Sequence, residues 1–220
     1  MRLKDSTRTS SNFYLALELC NGGDLYTFVR ARGGSLSEQE TRIVFRRVVQ
    51  GMAAIKEQDV VHRDLKLDNI MLHFSELRSN VCADKSFNMA EYIRAFDFRQ
   101  HHQSMRVKIA DLGFARKLQA NELALTFIGT PLNMAPEIVF GCEYCHKADV
   151  WSLGCLFYQM LTGYQPFMAK SMAELADKLQ DGTYHIPKTI KLSLEGASFM
   201  NELLQIDPEQ RIAWSDLISH

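Results

Sequence analysis

Val61-His62-Arg63-Asp64-Leu65-Lys66-Leu67-Asp68-Asn69 places a carboxylate, a cation and an amide on one short stretch of chain. Asp64 can accept a proton, Lys66 can neutralise a phosphate, and Asn69 can offer an amide oxygen to a cation. Moving a phosphoryl group from a nucleotide to a hydroxyl requires that set. Such a transfer needs positioning and charge neutralisation more than covalent help from the protein. Taken alone the stretch is a weak signal, because His-Arg-Asp arises by chance. Its company along the chain decides the reading.

Downstream, Asp111-Leu112-Gly113 sets a second carboxylate before a glycine that permits a sharp bend. Magnesium prefers oxygen ligands, so Asn69 and Asp111 form a candidate ligand pair. Ile70-Met71-Leu72 follows Asn69, Val107-Lys108-Ile109 precedes Asp111, and both read as short strands. Residues 73–106 between them are polar to mixed, with a short helix expected near Met89 to Phe96. A connection that long is either a functional or a mobile insertion. Its His101-His102 pair lacks the fuller ligand set of a metal site and reads as a solvated loop.

Upstream, Phe13 to Leu19 is rich in strand formers and reads as a buried strand. It stops at Asn21-Gly22-Gly23-Asp24, whose aspartate can cap a following helix. Gly33-Gly34 ends that helix. Ser37 and Glu40 form a capping box before a long helix with Val44, Val48, Met52 and Ile55 on one face. Asp149 to Leu161 is apolar nearly all round, as expected of a helix buried on every side. Ser171 and Glu174 form a second capping box. Two more helices are expected, from Ser193 to Leu204 and from Trp214 onward.

Composition bounds the alternatives. The chain has 220 residues, is 46% hydrophobic and 23% charged, and carries a formal charge of -1. That balance gives no footing for a nucleic-acid partner or a polybasic membrane contact. The N-terminus has no apolar segment of the signal-peptide kind. Val150 to Ala169 is uncharged over the length of a membrane span. Its Gln, Thr, Gly and Pro166 favour a buried helix and loop, so no transmembrane segment is expected. Five cysteines, odd and sparse, fit reduced thiols and a cytoplasmic setting. Cys142-Glu143-Tyr144-Cys145-His146 matches a haem-attachment pattern, and a zinc site would need a second close pair of ligands. Ordinary loop thiols are the simpler reading.

Order and company together carry a resemblance to the eukaryotic protein kinases of serine/threonine type. His62-Arg63-Asp64-Leu65-Lys66-x-x-Asn69 resembles the catalytic loop, and Asp111-Leu112-Gly113 the magnesium motif with Leu for the usual Phe. Ala135-Pro136-Glu137 is similar to the end of the activation segment. Asp149-Val150-Trp151-Ser152-Leu153-Gly154 resembles the buried large-lobe helix, and Arg211 the late arginine that pairs with Glu137. Leu19 to Leu25 and Met134 to Glu137 are similar in wording to the autophagy-initiating kinases.

The resemblance implies an α+β, protein-kinase-like fold: a predominantly helical large lobe with a remnant of the small-lobe sheet. Residues 1–17 would be that remnant, 18–24 the hinge, and 25–220 the large lobe with an insertion at about 73–106. It implies ATP and Mg2+ as cofactors and a protein substrate with a Ser or Thr acceptor. Asp64, Lys66 and Asn69 would be catalytic, and Asn69 with Asp111 would hold the metal. Glu18 to Cys20 would face adenine behind the gatekeeper Leu17, Asp24 would approach the ribose, and Met71 would form the floor. Plain alternatives stay open: Leu17 and Met71 as core, Asp24 as a cap only. His62 would pack under Leu112. Arg63 would meet a phosphate that an upstream kinase places on Thr126, and Thr130 would contact Asp64 or Lys66.

The small-lobe parts that the resemblance also implies are a glycine-rich loop, a strand lysine and a helix glutamate. None precedes Leu17. The expectation is therefore weak or absent transfer by the chain as written. The alternative readings are a catalytically inactive kinase-like interaction module and a non-catalytic nucleotide sensor.

Overall fold

The computed structural model describes residues 1–77, 86–112, 116–117, 131–142 and 145–219. Its strands are β1 (Leu3–Arg8), β2 (Phe13–Leu17), β3 (Val60–Val61), β4 (Ile70–Phe74), β5 (Met105–Ile109) and β6 (Arg116–Lys117). Its helices are α1 (Leu25–Ala31), α2 (Glu38–Lys56), α3 (Met89–Ala95), α4 (Phe98–His101), α5 (Pro136–Val139), α6 (His146–Thr162), α7 (Met172–Asp181), α8 (Leu194–Leu203) and α9 (Trp214–Ser219). The body is helical, and the strands form antiparallel pairs: β1 with β2, β3 with β6, β4 with β5.

Helix α2 starts where the sequence says it should. Ser37 Oγ accepts the Glu40 N–H, and the Glu40 carboxylate accepts the Ser37 N–H at 2.9 Å. Two orphan donors of the first turn are thereby satisfied. Thr41, Val44, Phe45, Val48, Val49 and Met52 recur on the buried face, and Ile55 packs at its margin. That face meets α6, with the Phe45 and Phe157 rings 5.0 Å apart. Helix α6 is buried continuously from Ala148 to Tyr158, as its apolar circumference requires. Gly154 lets α8 come close: a Cβ there would lie 2.8 Å from a Leu204 methyl. Among the described residues no helix is long and apolar enough to cross a membrane.

The Ser171 box forms by half. Ser171 Oγ caps the Glu174 N–H at 3.1 Å, but the Glu174 carboxylate turns to the Lys170 N–H at 2.8 Å.

The strand from Phe13 corrects the sequence reading. It forms, but every residue of β1 and β2 is exposed, with Phe13 at 72% and Leu15 at 62%. Strand propensity set the backbone. Among the described residues β2 pairs only with β1, and neither face is covered.

The described part of the insertion is docked on α1, and the His101-His102 pair, expected in a solvated loop, is half-buried. Strands β4 and β5 run on to Phe74 and from Met105, so the connection itself is 75–104. Asn88 caps α3 and Asp97 caps α4. Phe96 and Phe98 pack edge-on against Phe28 of α1, at 6.5 and 5.9 Å. Arg32 then donates to the carbonyls of Ile93, Arg94 and Phe96. Carbonyls at the end of α3 lack the full set of intrahelical donors, and Arg32 supplies further ones. The His101 ring lies against Phe96, and His102 Nδ1 meets the Phe98 carbonyl at 2.8 Å.

Candidate functional site

Asp64, Lys66 and Asn69 converge. Lys66 Nζ donates to Asp64 Oδ2 at 2.8 Å. Asn69 Nδ2 donates to the Asp64 carbonyl at 2.7 Å and to Asp64 Oδ2 at 3.0 Å. The Asp64 side chain is 4% exposed and that of Lys66 26%, so the lysine sits at the mouth and the carboxylate beneath it. With both amide hydrogens of Asn69 directed to Asp64, its Oδ1 is the face left to accept.

The same loop is tied to the end of β5. The Ala110 N–H donates to the Asn69 carbonyl at 2.8 Å. The Ala110 carbonyl lies 3.0 Å from His62 Nε2. Ala110 is thus held on both sides, and it immediately precedes Asp111. Asp111 itself adopts φ 57°, and Arg63 φ 71°. Left-handed backbone at non-glycine residues is strained, and it persists only where surrounding contacts impose it.

For Arg63 the imposing contact is Asp149. Its Oδ2 accepts the His62 N–H at 2.9 Å and its Oδ1 the Arg63 N–H at 3.1 Å. Burial pushes the Asp149 carboxyl up from the usual range, while the two N–H bonds pull it down. Farther along the loop, Asn133 Nδ2 holds the Leu65 carbonyl at 3.1 Å, and Ser152 Oγ holds the Asn133 carbonyl. The role of Asp149 as an anchor was missed in the sequence. The available signal was a lone carboxylate in an apolar helix, which has to find donors when buried.

His62 is fully buried, and its ring serves Ala110 rather than a reactive position. Leu112, which it was expected to underlie, is 48% exposed.

The segment from Asn21 to Asp24 is laced to β4. The Gly22 N–H donates to the Leu72 carbonyl at 2.9 Å, and the Leu72 N–H to the Gly23 carbonyl at 2.8 Å. Asn21 bridges both ways, accepting from the Phe74 N–H at 2.7 Å and donating to the carbonyls of Phe74 and Leu77. Asp24 does cap α1, through Thr27. It also lies opposite Met71 in a backbone bridge. Met71 is half-buried and faces away from the buried row Ile70, Leu72 and Phe74. Glu18 accepts from the Arg2 N–H at 2.7 Å and pairs with Lys108 of β5. These contacts hold its carboxyl below the ordinary range. Cys20 is half-buried, and burial pushes its thiol up.

Remote from these, Arg211 and Glu137 form a two-pronged pair at 2.8 and 2.9 Å, with Arg211 2% exposed. The guanidinium also donates to the carbonyls of Gln205 and Lys147, and lies 5.2 Å from the Trp151 ring centre. Thr126, Thr130 and Gly113 lie outside the described residues. Among the described residues no group of three or more His, Cys, Asp and Glu side chains is placed to hold a metal. An amide and a carboxylate, Asn69 and Asp111, are the candidate donors that remain.

The protein kinase domain model matches residues 1–220. Human serine/threonine-protein kinase ULK1 is 34% identical over 99% of this chain and 19% of its own length. Serine/threonine-protein kinase 33 of Bos taurus is 31% identical over 100% of this chain and 42% of its own. Serine/threonine-protein kinase ATG1c of Arabidopsis thaliana is 32% identical over 100% of this chain and 27% of its own. The chain thus spans less than half the length of these relatives. The Glu137–Arg211 pair is the one the resemblance to kinases implied, and with the match running from end to end, the chain belongs to the protein kinase domain family.

Proposed function

We propose that this chain is a protein serine/threonine kinase that transfers the γ-phosphate of ATP to a Ser or Thr hydroxyl of a protein substrate, with impaired activity as written. One observation carries the reading. Asp64, Lys66 and Asn69 share a single hydrogen-bonded cluster that is tied through Ala110 to Asp111. In this reading Asp64 orients the acceptor hydroxyl and takes its proton, and Lys66 lies beside the transferred phosphate. Asn69 Oδ1 and Asp111 are hard oxygen donors of the kind magnesium takes. Magnesium bound there with the ATP phosphates would offset charge developing on the transferred group. Residues 18–24 form the linker that adenine meets, with Glu18 and Cys20 offering backbone groups, Asp24 near the ribose and Met71 beneath the ring. Residues 1–17 are then small-lobe hairpin and 25–220 large lobe with an insertion at about 73–106, of which Ile93 to Phe98 packs on α1 and Arg32.

Arg63 is proposed to receive a phosphate placed on Thr126 by an upstream kinase. A cytoplasmic setting is proposed because Cys20, Cys142, Cys145 and Cys155 are all free thiols. The kinship with ULK1 and ATG1c supports a serine/threonine acceptor. Radiolabelled transfer from ATP to a Ser/Thr-bearing protein, compared between this chain and Asp64→Ala, tests the reading. Transfer that does not depend on Asp64 sinks it.

The exposed apolar hairpin favours a second reading, an interaction module. Leu3, Phe13, Tyr14, Leu15 and Leu17 all present more than two-fifths of their surface, and such a patch marks a contact surface. Absence of any nucleotide-dependent transfer, with partner capture intact in Asp64→Ala, would select it.

A further inference from the structure

We propose that Cys142 and Cys145 form a redox-responsive dithiol that closes to an intrachain disulfide when a hydroperoxide oxidises Cys142. Both residues line one apolar cavity of about 470 Å³, walled by Phe140, Ile206 and Pro208. Cys142 is exposed and Cys145 half-buried, and both are free thiols. Cys145 is the residue before the first turn of α6, three positions after Cys142, the Cys-x-x-Cys spacing in which two thiols pair as a disulfide. The other described cysteines lack this setting. Cys155 is fully buried within α6, and its burial pushes the thiol far up. Cys20 is also pushed up by burial.

The exposures assign the order of events. The Cys142 thiolate attacks the peroxide O–O bond, forming an S–O bond and releasing water or an alcohol. The Cys145 thiolate then attacks that sulfur, forming the S–S bond as the sulfenic oxygen leaves as water. Two thiols together lose two protons and two electrons, and the peroxide takes them up. The bridge closes beside the buried ion pair, because the Cys142 N–H donates to the Glu137 carbonyl at 2.7 Å.

The test is peptide mapping of the chain after graded hydrogen peroxide, alkylation and trypsin without reductant. One tryptic peptide, residues 118–147, contains both cysteines. The expected product is that peptide lighter by two hydrogens, unalkylated, and restored by dithiothreitol. In Cys145→Ser, the same dose should carry Cys142 to sulfinic acid that dithiothreitol does not restore. In Cys142→Ser, Cys145 should stay open to alkylation. The proposal is overturned if wild-type Cys142 reaches sulfinic acid at the dose that acts on Cys145→Ser. It is overturned equally if Cys142 joins Cys20 or Cys82 instead of Cys145.

Discussion

Asp149 accepts the backbone N–H of Arg63 at 3.1 Å and holds that residue at φ 71°. The anchor lies 86 positions away in the chain, yet it sets the backbone of the residue just before Asp64. Replacing one carboxylate oxygen by an amide NH₂ would bring two donors face to face. Asp149→Asn should therefore lose about 1–3 kcal/mol of stability, read by urea denaturation. It should also lower phosphoryl transfer by more than the unfolded fraction explains, because Arg63 relaxes and carries Asp64 with it.

Gly22 ties the proposed nucleotide linker to β4. A Cβ there would lie 2.5 Å from the Phe74 ring and 2.9 Å from the Leu72 carbonyl. Gly22→Ala should part the linker from the strand and shift Asp24 away from Met71. Steady-state kinetics should show a raised KM for ATP with a smaller change in kcat. An unchanged KM would separate this segment from nucleotide binding.

Arg211 is buried with five acceptors around it, two on Glu137 and three carbonyls. Lysine carries the charge but not the planar fork. Arg211→Lys keeps the pair but leaves buried carbonyls without donors, so it should cost about 1–3 kcal/mol, measured by chemical denaturation. The hydrogen bonds of Arg211 run to Glu137, Gln205, Lys147 and Ile206, so the folded fraction should keep its transfer rate.

Glu18 and Lys108 join the linker to the strand that leads to Asp111. The Arg2 N–H first, and Lys108 after it, hold the Glu18 carboxyl below its ordinary value of 4.5. A carboxyl lowered in the folded state contributes stability above its unfolded value, and that contribution is lost as the pH falls through the folded one. Lys108→Met should lower thermal stability at neutral pH by under about 1 kcal/mol. The gap from wild type should close as the pH falls below 4.5.

The parts legible in the sequence are those set by neighbours along the chain. The Ser37–Glu40 box, the buried circumference of α6 and the short helix after Asn88 depend on spacings of a few residues, and each formed. The resemblance supplied the Glu137–Arg211 pair, which no local pattern announces. Burial of Phe13 to Leu17 was misjudged because apolar content reports strand propensity, whereas burial depends on what lies across the sheet. The docking of the described insertion leaves no local sign, because its anchor, Arg32, belongs to the far end of α1. The hold of Asp149 on Arg63 escaped because its partners are backbone N–H groups, so the lone carboxylate in an apolar helix was its one sign in the sequence.

The central claim is that Asp64, clasped by Lys66 and Asn69, performs phosphoryl transfer. The most direct measurement is the rate of radiolabel transfer from ATP with magnesium to a Ser/Thr-bearing protein, for this chain and for Asp64→Asn, which keeps the shape and removes the base. The account predicts a rate at least about 100-fold lower in Asp64→Asn, the low end of what a positioned general base contributes. Equal rates in the two proteins would contradict it.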